Sequence, residues 1–141
     1  MRCDLVTFDD IKDDPAVSAA FDAGNVEAGG VPWTQQKIQD IENAGLLLLW
    51  RIGVEGKAVG FCAMMHTERH CCIQAALFIF DEYRSGGTAR DAIKDIDKQL
   101  IDRGITRIYR HVRTNGVGYL HGMGYDFVES LHVLDVGGHN G

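Results

Sequence analysis

Between Leu77 and Gly104 the sequence admits few local structures. Leu77-Phe78-Ile79-Phe80 reads as an apolar strand and Gly86-Gly87 as a tight turn. Ala89, Ala92, Ile93, Ile96 and Leu100 then recur at helical spacing, and Gly104 ends the run. Arg90, Asp91, Lys94, Asp95, Asp97 and Lys98 fall on the opposite, solvent side of that helix. A strand that turns through glycines into a helix makes an anion site from main chain alone. The first amides of a helix have no intrahelical acceptor and carry the positive end of its dipole. A phosphate seated there satisfies both. Gly86 and Gly87 lack a Cβ and tolerate positive φ, which lets the backbone approach a ligand. Arg84 adds a permanent, forked cation beside them.

The chain contains no G-x-G-x-x-G and no G-x-x-x-x-G-K-[ST]. What stands instead is Arg84-x-x-Gly87-x-Ala89, following a Leu77-x-Ile79 strand. This resembles the acyl-coenzyme-A loop of the GNAT acetyltransferase superfamily, L-x-V-x-P-x-[YF]-R-x-x-G-x-[GA]. Leu77, Ile79, Tyr83, Arg84, Gly87 and Ala89 match it, and Asp81 replaces the proline. The resemblance implies a coenzyme A pyrophosphate on Arg84, Ser85, Gly86, Gly87, Thr88 and Ala89. It implies also that the pantetheine arm pairs with backbone groups around Leu77, Phe78 and Ile79, with acetyl-CoA as cosubstrate. An ordinary strand-to-helix turn is the alternative reading of the same residues.

With 141 residues the chain has the length of a single domain able to bury a core, and 1–141 is read as one such domain with 137–141 a frayed tail. No apolar run reaches bilayer length, and Leu46 to Trp50 is only strand-sized, so no membrane span is expected, and Asp4, Asp9 and Asp10 interrupt any signal peptide. Four cysteines with no C-x-x-C pattern make neither a disulfide framework nor a zinc ribbon, and a reduced, cytoplasmic location follows most simply. Net charge is −6, with nine acids against three bases in residues 1–45 and eleven of each beyond. That balance argues against nucleic acid as a partner. A merely solvated acidic surface is the simpler explanation of that charge, which would also suit a cationic amine.

Arg2–Phe8 reads as a first strand and Asp14-Pro15 as the start of a helix ending at Gly24. Trp33-Thr34 opens a second helix, with Thr34 as cap, a Trp33–Ile38 staple, and Gly45 as its end. Leu46–Ile52 and Lys57–His66 form a hairpin joined by Gly53-Val54-Glu55-Gly56. Thr67-Glu68-Arg69 is a polar turn into a strand over Cys71–Phe80. After the 89–104 helix come a strand over Thr106–Val112, a glycine-laden connection over Asn115–Gly124, and one or two strands over Phe127–Val136. This order is also that of the GNAT fold. It implies an α/β domain, with a mixed, mostly antiparallel sheet of six to seven strands flanked by about four helices.

In that family an amine attacks the thioester directly, so a base must take the amine proton and an acid must protonate the leaving thiolate. The acid is commonly the tyrosine of Y-x-x-x-G-[FY]. Gly124-Tyr125 matches the end of that motif, but the tyrosine position holds Leu120, and Tyr119 is the neighbouring candidate. Tyr119 inherits the role only if the glycine-rich segment is irregular, and otherwise packs as an aromatic. Asn115 is read as a coenzyme contact or as half of an Asn-Gly turn. For the base, the Cys71–Phe80 strand carries no carboxylate, which leaves His70 and Glu68, with His66 nearby, or simply a polar turn. No metal site is assigned, because His66, Glu68, His70 and Cys71 would have to converge from a strand–turn–strand. Cys71 and Cys72 as acyl acceptors are weighed against structural thiols.

The expectation is an acetyl-CoA-dependent N-acetyltransferase whose acceptor is a small-molecule or protein primary amine. The same fold retained as a coenzyme-A-binding or interaction protein is the alternative. The assembly is left open between monomer and homodimer.

Overall fold

The computed structural model describes residues 1–15, 34–83, 86–110, 126–128 and 131–136. Its strands are β1 (Arg2–Val6), β2 (Leu47–Val54), β3 (Lys57–Glu68), β4 (Cys71–Ile79), β5 (Arg107–Arg110), β6 (Asp126–Val128) and β7 (Leu131–Asp135). They form one seven-stranded sheet in the order β1-β2-β3-β4-β5-β7-β6. Every neighbouring pair is antiparallel except β4–β5, which is parallel because a helix intervenes between them. Two α-helices lie among the described residues, α1 (Gln35–Asn43) and α2 (Thr88–Asp102).

Both helices end where local chemistry ends them. The Lys37 amide donates to Thr34 Oγ1 at 3.2 Å, which caps α1. At its far end Gly45 adopts φ +75° while the Gly45 and Leu46 amides donate to the Glu42 and Ile41 carbonyls. This is the glycine-closed helix end of the Schellman type. Gly104, at φ +91°, closes α2 the same way. The helix expected from Asp14, beyond Pro15, and the Trp33 staple lie outside the described residues, as do 111–112 of the expected fifth strand and the 137–141 tail.

Two boundaries depart from expectation. β2 and β3 are joined by Glu55 and Gly56 alone, both at positive φ, so Gly53 and Val54 belong to the strand rather than the turn. β3 runs on through Glu68, so Thr67 and Glu68 are strand residues and the turn is Arg69-His70. Leu46 is solvent-exposed, whereas Leu48, Leu49 and Trp50 are buried on alternating faces.

Each face of the sheet carries its own apolar cluster. On one face Trp50, Ile52, Cys62, Met64, Cys72 and Ile108 pack against Ala92, Ile93, Ile96 and Leu100 of α2. On the other, Phe8, Leu49, Phe61 and Ala63 pack around Ile38 of α1. Polar clamps fix α2 across this apolar contact, which by itself has no direction. The Trp50 indole N–H donates to Gln99 Oε1 at 2.9 Å, and Gln99 Nε2 donates to the Cys3 carbonyl at 2.9 Å. The Cys3 amide in turn donates to Asp95 Oδ2 at 3.2 Å, tying the edge strand β1 to the helix.

Candidate active site

The end of β4 leads directly to the mouth of α2. The Phe80 amide donates to the Val59 carbonyl at 2.8 Å, holding the strand end against β3, and Asp81–Tyr83 then make one 3-10 turn. Gly86 and Gly87 follow at φ +82° and +79°, a left-handed pair that only glycine adopts cheaply. Gly87 is the N-cap of α2 and has no side chain to turn onto the helix. The first intrahelical bond is from the Asp91 amide to the Gly87 carbonyl, so the amides of Thr88, Ala89 and Arg90 precede the ladder. A Cβ at Gly86 would meet nothing within 4 Å, and one at Gly87 would lie 2.8 Å from the Arg90 guanidinium. Arg90 therefore folds back over the turn instead of standing out from the helix, as long helical side chains do. Arg90 is thus a cation beside this turn, and it is solvent-exposed as its helical position predicts. Asp91, 3.8 Å from it, partly offsets its charge.

β4 carries the other half of the site. Its register with β3 shifts between Ala63 and Met64, so that Ala75 is an extra residue on β4. Such a bulge reverses the side-chain phase. Cys72 packs in the α2-side cluster before it, Leu77 and Ile79 after it, while Phe78 and Phe80 turn to the other face. Among the described residues the β4–β5 register covers Cys71↔Arg107, Cys72↔Ile108 and Ile73↔Tyr109, whereas β4 itself runs on to Ile79.

Just past that register lies a buried charge pair. Arg110 is fully buried, and its Nη2 donates to Asp97 Oδ1 at 2.7 Å across to α2. Its Nη1 donates to Gln74 Oε1 on β4. Asp97 is thus a core residue and not a member of the solvent face to which the sequence reading assigned it. A sequence signal for this existed. Asp97 stands four residues after Ile93 and three before Leu100, on the buried stripe itself.

The cysteines beside this pair are buried and held in the thiol form. Burial pushes the Cys72 thiol up to about 12 and the Cys62 thiol up to about 11, and nearby Arg110 only partly opposes this. Burial, with Asp95 adding to it, pushes Cys3 up to about 12. A thiol so poorly ionised is a poor nucleophile, which removes Cys72 as an acyl acceptor.

Leu77, Phe78 and Ile79 lie on β4 and Thr88 and Ala89 in the first turn of α2; Leu77, Ile79 and Ala89 share one apolar cluster, whereas Phe78 packs on the other face of the sheet. Arg84, Ser85, Asn115 and Tyr119 lie outside the described residues. Glu68 ends β3 and His70 sits in the β3–β4 turn, at the opposite end of β4 from the glycine turn. His70 Nδ1 lies within hydrogen-bond reach of the Gly104 carbonyl, at 3.1 Å. His66 and Glu68 line a shallow, open groove of about 410 Å³ with Leu46, Thr67 and Arg69.

A mixed sheet whose one parallel pair brackets a strand–glycine turn–helix is the fold of the GNAT acetyltransferases. The chain superposes on the ribosomal-protein-S18-alanine N-acetyltransferase of Escherichia coli with a TM-score of 0.75, at 12% identity, over 96% of this chain and 94% of that one. Against Tetrahymena GCN5 the TM-score is 0.69 at 10% identity, over 96% of each chain. Against PaiA N-acetyltransferase from Thermoplasma acidophilum, solved in complex with coenzyme A, it is 0.62 at 15% identity, over 94% and 97%. No protein-family model and no curated protein sequence matches the chain.

Proposed function

We propose that this protein is an acetyl-CoA-dependent N-acetyltransferase that transfers acetyl to a primary amine by direct attack in a ternary complex. The observation that carries the reading is the left-handed Gly86-Gly87 pair, which opens α2 at the end of β4 with Arg90 folded over it. Main-chain amides, helix dipole and guanidinium there suit a diphosphate, and the loop pattern in the sequence assigns Arg84 and Ser85 to the same ligand. The pantetheine arm then lies along Leu77–Ile79, and a β4 amide near Ile79 faces the oxyanion as the amine attacks. The C–N bond forms, the C–S bond breaks, and the thiolate leaves. Tyr119 is the proposed acid for it, and Asn115 a further coenzyme contact.

His70 and Glu68 stand at the far end of β4 from Ile79, roughly 30 Å of strand away, so neither reaches an amine at that end directly. Rate then comes mainly from holding thioester and amine together. The distance of these candidates from the turn favours one second reading, a coenzyme-A-binding protein that has lost the reaction.

Titration calorimetry with acetyl-CoA, followed by a thiol-release assay over peptides, polyamines and aminoglycosides, decides between them. Heat with thiol release supports the transferase, and heat with a flat trace supports the binder. In Gly87→Val coenzyme affinity should fall at least tenfold while the fold persists. Unchanged affinity would overturn the loop assignment.

A further inference from the structure

Resting on that coenzyme reading, we infer that the buried Arg110–Asp97–Gln74 cluster is a positioning device that sets where α2 stands along β4. The coenzyme would span both elements, its diphosphate on the first turn of α2 and its thioester arm on β4. The distance between these two half-sites is therefore a property of how helix and strand are aligned. Apolar packing of Ile93, Ile96 and Leu100 on the sheet resists separation but not sliding, since volume-conserving contacts tolerate small shifts. Directional bonds do resist it. Arg110 belongs to β5, bonds Asp97 on α2 at 2.7 Å, and bonds Gln74 on β4, so one guanidinium fixes three elements.

The brace lies far from the turn it would govern. Asp97 is nine residues beyond Thr88, about 14 Å along the helix axis. Gln74 is five residues before Ile79, about 17 Å along the strand. With Ile79 and Ala89 in contact with the same core near the turn, α2 is held near its first turn and again past its middle. Stability is a weak reason for such a pair. Well-packed apolar residues of similar volume usually replace a buried ion pair without loss, whereas directional pairing specifies register. An ångström of misplacement is enough to cost a transferase much of its rate.

The test is the paired apolar replacement Asp97→Leu with Arg110→Met, measured by calorimetry with two ligands. Coenzyme A spans both half-sites, and adenosine diphosphate engages only the turn. The expected result is a loss of at least tenfold in coenzyme A affinity, with adenosine diphosphate affinity within twofold of wild type and the melting temperature retained. Arg110→Lys keeps the charge pair but has no fork for Gln74, should show an intermediate loss, and carries the test if the double variant does not fold. Equal losses for both ligands, or a loss for neither, would overturn the positioning role. Wild-type protein that binds neither ligand would overturn the coenzyme reading itself, and this inference with it.

Discussion

A single methyl group at Gly60 should disturb the site more than any comparable change around it. Gly60 is paired with Ile79, the last residue of β4. A Cβ there would lie 2.2 Å from the Phe78 carbonyl oxygen and 2.9 Å from Ile79 Cδ1. A carbon and a carbonyl oxygen need about 3.3 Å, and the obstacle is main chain, which cannot rotate away. β3 and β4 must therefore separate by about an ångström at this point. The adjacent bond from the Phe80 amide to the Val59 carbonyl is 2.8 Å long and would not survive that opening. Overpacking costs about 1–3 kcal/mol and the lost bond about 1 kcal/mol more. For a domain of this size the melting temperature of Gly60→Ala should fall by roughly 10 °C. Gly56→Ala is the control, because Gly56 is at φ +80° but has nothing within 4 Å of a Cβ. It should lose only the left-handed penalty, about 1 kcal/mol. Circular-dichroism melts of the two variants measure both effects. A Gly60→Ala protein no less stable than Gly56→Ala would refute the steric account. Because the displaced residues are Phe78 and Ile79, acetyl-CoA affinity should fall with the melting temperature in Gly60→Ala but not in Gly56→Ala.

Two further predictions rest on thiols and on a cap. Cys3, Cys62 and Cys72 are held protonated when folded, raised from the ordinary 9.0 to about 12, 11 and 12. Unfolding releases them to ionise. Their contribution to stability is thus complete below about pH 9 and lost as pH climbs through 11 to 12. Urea titrations from pH 8 to 11 should show stability falling, and a disulfide reagent at pH 8 should leave these three thiols unreacted until denaturant is added. Rapid reaction of two or more of the four thiols in the native protein would contradict their burial. Thr34→Ala removes the acceptor of the Lys37 amide and should cost about 1 kcal/mol, which Thr34→Ser restores; equal melts for the two variants would show that the cap contributes nothing.

What was legible in the sequence is what neighbouring residues decide between themselves. Thr34 and Gly45 bound α1 as read, since a cap and a left-handed stop act within one helical turn. Gly86 and Gly87 likewise adopt the left-handed conformations that their lack of Cβ allows. The stripe of Ala92, Ile93, Ile96 and Leu100 is buried because periodicity alone aims it at the sheet. Gly53–Gly56 reads as a four-residue turn because a two-residue loop and a four-residue one share the same turn-rich sequence. Only pairing of Gly53 with Ala58 and Val54 with Lys57 separates them. Asp97 was misplaced for a related reason. Its position marked it as buried and its charge marked it as exposed, and the deciding partner, Arg110, sits on another strand.

The same division runs through the site. A coenzyme held by main-chain amides leaves a short pattern in one stretch of chain, because glycines, a strand and a helix start must follow one another. Proton transfer needs side chains brought together from separate elements, and no local pattern records that meeting. The bulge at Ala75 shows how much hangs on such placement. Alternation along Cys71–Phe80 puts Cys72, Gln74, Phe78 and Phe80 on one face, and one extra residue sends Phe78 and Phe80 to the other and brings Leu77 and Ile79 to α2. A base sought on either face of β4 by counting would therefore be sought on the wrong side beyond Ala75. On the proposed reading, His70, Glu68 and Tyr119 must be judged as catalytic candidates by their distance from a bound thioester and not by their place in the chain.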